Sequence, residues 1–160
     1  MTTEQNLSLL LERLALVAPV RRPATEEAIR AVERRLGIRL SSEFRNTYLR
    51  LDGTADGTPP ENGWFELWPL ARWYTVEQYV QDWSEPERGR FKDLGAAIVF
   101  ADYSIESWHY AVDFSADSSK PTAPIYLLHL QPYLVSESLE GFLAAALVDG
   151  PEIYPPGAPA

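Results

Sequence analysis

Signals for helix and strand do not alternate along this chain; they are sorted. Apolar residues recur at helical spacing up to Gly53, strand-length apolar runs occupy the stretch from Trp64 to Leu130, and a last helical pattern begins at Ser138. A parallel sheet needs a helix-length crossover between successive strands, so sorted signals argue against one. They specify an α+β fold instead: N-terminal helices followed by a mostly antiparallel sheet and a C-terminal helix. One domain is expected over residues 1–150, with a Pro-rich tail at 151–160 that is either loose or docked.

The helical signals are punctuated. Leu7, Leu10, Leu11, Leu14 and Val17 form one stripe that ends near Pro19. Thr25 can cap a second helix, with Glu26 and Glu27 in its first turn, where the helix dipole favours anions. Ile29, Val32 and Leu36 make its apolar face, Arg34 and Arg35 lie in its last turn, and Gly37 can take the left-handed closing conformation. A third helix is expected from Ser41 or Ser42 to Gly53, with Phe44, Tyr48 and Leu51 on one side. Gly53–Gly63 reads as a loop.

Beyond the loop, Trp64–Trp68 reads as a strand, and Thr75 with Gln78 as a capping box for a short helix through Tyr79 and Val80. The charged stretch Ser84–Asp93 reads as exposed loop or fraying helix. Ala96–Ala101 and Trp108–Phe114 read as two strands joined across Ser104–Ser107 in an antiparallel hairpin, and Ile125–Leu130 as a further strand after a turn at Lys120–Pro124. Leu139, Phe142, Leu143, Ala146 and Leu147 give the last helix its buried side, with Gly150 at its end.

Charge narrows the partners. The net charge of −9 is uneven: residues 1–55 hold nine Lys/Arg against seven Asp/Glu, residues 56–160 five against sixteen. An acidic field of this kind repels nucleic acid and speeds encounter with basic proteins; a solvated surface that only keeps the chain soluble is the plainer account. The five tryptophans could stack bases, but such a platform wants a basic groove. The chain has no cysteine, which excludes disulfides and thiolate metal sites. Glu4 rather than a basic patch precedes the first leucines, and no apolar run approaches the ~20 residues of a membrane span. A cytoplasmic protein with no membrane or nucleic-acid partner is therefore expected.

The order of these blocks resembles the SMI1/KNR4, or SUKH, superfamily. Ala24–Ile29 through Val32–Leu40 resembles its opening helix and the "Leu-Gly-Ile-x-Leu-Pro" step, with Ser41 in place of the usual Pro. Phe44–Leu49 resembles its second helix, closed here by Leu51-Asp52-Gly53 rather than by Asn-Gly or Gly-Gly. Phe65–Leu70 looks like the strand with a "hydrophobic-Pro-Leu" exit, Val99–Val112 like a hairpin of bacterial members, and Ser136–Leu143 like the last helix. The resemblance implies a non-catalytic protein-binding module. Many bacterial members look like immunity proteins encoded beside polymorphic or contact-dependent toxins, often nucleases; others look like regulatory scaffolds for signalling or cell-envelope proteins. The family shares no catalytic residues, and none is carried over.

A search for chemistry in the residues themselves gives no G-x-x-x-x-G-K-[ST], G-x-G-x-x-G or G-x-S-x-G motif. His109 and His129 each lie in an expected strand. Asp102, His109 and Asp113 could converge on a metal or a base, and Ser104 or Ser107 could meet His109, but the spacings fit an ordinary hairpin equally well. A small hydrolase or metal enzyme is thus the remote alternative, and no catalytic residue, cofactor or metal is assigned. The expected contacts with a toxin or other basic protein come from Asp52, Asp56, Glu61, Glu66, Asp82, Glu85, Glu87, Asp102 and Glu106, with Tyr103 and Trp108 as aromatic anchors. Oligomeric state is not legible.

Overall fold

The computed structural model describes residues 1–54, 65–104, 106–117 and 119–157. Helix α1 (Thr3–Val17) begins in a capping box in which Gln5 N–H donates to Thr2 Oγ1 and the Gln5 side chain accepts from Thr2 N–H; Leu7, Leu11 and Leu14 are buried. Helix α2 (Glu26–Leu36) starts where Ala28 N–H donates to Thr25 Oγ1 and stops at Gly37, whose φ of 66° is left-handed. Helix α3 (Ser42–Tyr48) is capped by Ser41. It ends before Gly53 rather than reaching it, because the chain turns at Leu49 so that Ala24 N–H can donate to Tyr48 O.

Among the described residues six strands follow: β1 (Phe65–Leu67), β2 (Tyr74–Thr75), β3 (Ile98–Tyr103), β4 (Trp108–Val112), β5 (Ile125–Leu128) and β6 (Pro132–Ser136). The sheet runs β1-β3-β4-β5-β6, all neighbours antiparallel, with β2 pairing the start of β3 on the same side as β1. The β3–β4 ladder carries a bulge at Phe100. Short helices α4 (Val76–Tyr79) and α5 (Glu85–Gly89) lie between β2 and β3, and α6 (Leu139–Leu147) follows β6.

One sheet face carries α3 and α6. Phe142 of α6 meets the rings of Phe65, Phe100 and Tyr110 at 4.9–5.6 Å, while Phe44 of α3 meets Trp73, Phe100 and Phe114 at 5.1–6.1 Å. Fully burying each such ring contributes about 1.5–3 kcal/mol, so this double aromatic layer joins helices to sheet strongly. Helix α1 packs outside α6. Gly53 seals the junction between helices and sheet: its φ is +81°, and a Cβ there would sit 2.5 Å from Leu67 O, so only glycine fits.

Several expectations change. Trp64 and most of the Gly53–Gly63 loop lie outside the described residues. The charged stretch 84–93 takes its helical alternative over Glu85–Gly89, as a short helix, but is not wholly exposed, since Phe91 is buried. Strand β5 stops at Leu128, because the chain turns so that His129 N–H meets Gln131 O; His129 is not a strand residue. Strand β6 was not foreseen, and the Pro-rich tail is docked over 151–157, with Ile153 only 1% exposed.

Candidate functional site

Strand alternation puts Glu66 of β1, Asp102 of β3 and His109 of β4 in one row, since Glu66 pairs with Asp102 and Asp102 with His109. This row lies on the sheet face opposite α6. Trp68, two residues beyond Glu66, points the same way, and its Nε1–H donates to Asp102 Oδ2 at 2.6 Å. The other carboxylate oxygen of Asp102 accepts from Glu106 N–H at 3.2 Å. That bond secures the β3–β4 turn, where Ser104 (φ 47°) and Glu106 (φ 61°) both adopt left-handed backbone.

Arg72 closes the cluster. Its guanidinium lies 3.9 Å over the Trp68 ring and faces Glu106 at 3.3 Å, Glu66 at 3.4 Å and Asp102 at 3.8 Å. One cation thus serves three carboxylates. Each half-exposed pair contributes at most about 1 kcal/mol, so the arrangement fixes side-chain positions more than it stabilises the fold. Asp102 needs the charge most, being 1% exposed.

His109 borders this group. Its Nδ1 lies 3.1 Å from Tyr79 Oη and its Nε2 3.4 Å from Glu106 Oε1, with the Trp68 ring edge-on at 5.7 Å. Burial pulls the His109 pKa below its ordinary value, against the opposing pull of Glu106 and Asp102. Burial pushes the Tyr79 hydroxyl up to about 12, so it stays protonated. The chemistry weighed for this histidine is not assembled: Asp113 instead accepts from Ser115 N–H and Oγ–H, and Ser107 Oγ–H donates to Ser104 O. Among the described residues no group of three or more His, Asp and Glu side chains is placed to hold a metal ion.

Around the cluster lies a half-buried aromatic rim of Tyr74, Tyr79 and Trp83, with Tyr79 5.2 Å from Trp83. Glu106, 53% exposed at its side chain, and Asp82 and Glu85 flank it in the fold or along α4–α5. Of the expected contact residues, the structure brings Glu66, Asp102 and Glu106 together. Asp102 is corrected from a surface contact to an interior one, since its carboxylate is consumed by Trp68 and the turn. Asp52 accepts from Leu70 N–H at 2.9 Å, and Glu87 caps α5 by accepting from Ser84, which lowers its pKa. Asp56 and Glu61 lie outside the described residues.

Tyr103 is also corrected to an interior residue, while Trp108 beside it stays half-buried. They stack on each other at 4.4 Å toward the opposite face and hold the tail: Trp108 Nε1–H donates to Ile153 O, and Tyr103 Oη lies 2.7 Å from Tyr154 Oη. Tyr103 is 7% exposed and cannot anchor a partner while the tail is in place. Arg72, Tyr74 and Tyr79 were missed; the only sequence signal was an aromatic run with a lone arginine between Trp68 and Trp83.

Fold and face together define a small α+β domain whose polar cluster is locked into structural bonds beside a half-exposed acidic and aromatic surface. Residues 23–145 match the SMI1 / KNR4 family (SUKH-1), and the chain belongs to that family. Helix α1 precedes the matched region, and the docked tail follows it. No curated protein matches the chain. Among the described residues no helix is long and apolar enough to cross a membrane.

Proposed function

We propose that this chain is a non-catalytic binding module of the immunity type, which neutralises a bacterial toxin by covering its basic, nucleic-acid-binding surface with the face around Glu66, Arg72 and Glu106. The observation that carries this reading is the juxtaposition of half-exposed Tyr74, Tyr79 and Trp83 with Glu106 and Glu66. Preformed aromatic groups beside fixed carboxylates suit recognition of cationic side chains, because little conformational freedom is lost on binding. Membership of the SUKH-1 family supports a protein-binding, immunity-type role.

The test is rescue. A toxin encoded next to this chain is expressed with and without it, and the purified pair is titrated at two salt concentrations. Rescue and salt-sensitive binding are expected, with both weakened about tenfold or more by the exchange of Asp82, Glu85 and Glu106 for Lys. Intact rescue by that variant would move the interface elsewhere, and binding without rescue would favour a regulatory scaffold.

A further inference from the structure

Strand β6 ends the sheet. It pairs with β5 on one side and with no other strand among the described residues. Beside it runs a groove of about 530 Å³ whose walls are Tyr133, Leu134 and Val135 on one side and the docked segment 151–157 on the other. Successive strand side chains point to opposite faces. A groove that touches both Tyr133 and Leu134, whose register partners are Leu127 and Tyr126, is therefore met along the strand's edge, where main-chain groups face outward, and not on a face of the sheet; the register shifts next, at Val135. Such an edge is a template for another strand. Pro132 blunts its first position and the register shift at Val135 its far end, which leaves Tyr133 and Leu134 in regular pairing between them.

The groove carries one sign of charge. Its lining includes Asp149 and Glu152, both exposed, and neither lysine nor arginine. Leu134 projects from the strand at 54% exposure, while Tyr133 and Val135 are half-buried. We infer that β6 and the docked C-terminal segment form a second interaction surface, which takes an extended segment of a basic protein as an added strand. Main-chain pairing supplies the generic attraction, Leu134 an apolar contact for alternate side chains, and Glu152 a counter-charge for Lys or Arg. A second copy of this chain fits less well: a two-fold pairing through β6 would bring Asp149 and Glu152 of both copies onto one groove. This surface is separate from the face around Arg72, and either can fail without the other.

Linear peptides from a random library are selected on the full chain and mapped by backbone hydrogen exchange. Enriched peptides are expected to carry Lys or Arg, to alternate polar with apolar residues, and to slow exchange of the amides of residues 133–136. E152K and L134K each change an exposed side chain, so both should unfold as the parent does while weakening those peptides about tenfold; E106K should leave them unchanged. The inference is overturned if enriched peptides are acidic, if none protects 133–136, if E152K and L134K bind as the parent does, or if the free chain is already a dimer with those amides protected.

Discussion

The carboxylate of Glu43, on α3, caps α6 from 96 residues away: Leu139 N–H donates to its Oε2 at 2.8 Å. Glu140 N–H donates to the other oxygen at 2.7 Å, while the local cap, Ser138 Oγ, accepts from Gly141 N–H. Three of the four unpaired N–H groups that open a helix are thereby satisfied, two of them by a side chain from another element. Burial nonetheless pushes the Glu43 pKa above its ordinary value, against the pull of these two donors.

Replacing Glu43 by Leu should therefore destabilise the fold by about 2–3 kcal/mol, because one buried and one part-buried donor lose a charged acceptor. A urea titration checks this: the midpoint should fall with the slope unchanged. A loss below about 0.5 kcal/mol would mean that water or Ser138 replaces the cap.

His109 makes stability depend on pH in a defined direction. Its folded pKa lies below the unfolded value near 6.5, so the unfolded chain takes up the proton first. Its contribution is present above about pH 6.5 and is lost as pH falls through the folded pKa. Glu106 and Asp102 face the ring and limit the shift, and Arg72 adds to it. The His109→Gln variant should lose this acid-side slope while other carboxylate titrations persist below it; unfolding measured between pH 5 and pH 7.5 gives the comparison.

Gly53→Ala should cost about 2–4 kcal/mol. The added methyl meets backbone atoms of Leu67, Trp68 and Pro69 at 2.5–2.8 Å, and φ is positive as well. By contrast Gly89→Ala, where a Cβ would meet nothing within 4 Å, should be neutral or slightly stabilising. Thermal unfolding of the two variants side by side distinguishes a packing conflict from a generic loss of glycine.

Removing residues 151–160 should destabilise by about 3–5 kcal/mol. Ile153 leaves the core, and Tyr110 Oη–H and Trp108 Nε1–H lose Ile153 O as acceptor. Trp108 fluorescence should shift to the red in the truncated chain, as its ring meets water. An unshifted spectrum with unchanged stability would show that the tail rests on the surface without holding it.

Elements whose ends are set by local chemistry were legible in the sequence. The Thr25 cap and Gly37 stop delimit α2, and Thr75 with Gln78 opens α4, because these bonds join residues three or four apart. The continuous apolar run at 98–101 marks a strand buried on both faces. Strand β6 was hidden, for it opens on proline, no residue in it is buried, and its apolar run, Tyr133-Leu134-Val135, is too short to mark a strand. The site was less legible still. Asp102 reads as one more surface carboxylate until the register places Trp68 Nε1 against it, and Arg72 shows its role only once the turn carries it over Trp68. Tyr103 and Trp108 look like free anchors because nothing nearby in sequence announces Tyr154 as their partner.

The docking of Ile153 also bears on how the protein is made. The acceptor that Tyr110 and Trp108 share, Ile153 O, lies more than forty positions further along the chain, with separations of 43 and 45. During vectorial synthesis the β3–β4 hairpin leaves the ribosome long before that acceptor exists. Until then Trp108 Nε1–H can donate to Tyr110 Oη, but the Tyr110 hydroxyl has no Ile153 O to donate to, and this end of the sheet is completed only after Ile153 has cleared the exit tunnel. Completion of this end of the domain is thus a late event in synthesis, set by the last residues to emerge rather than by the strands they cover.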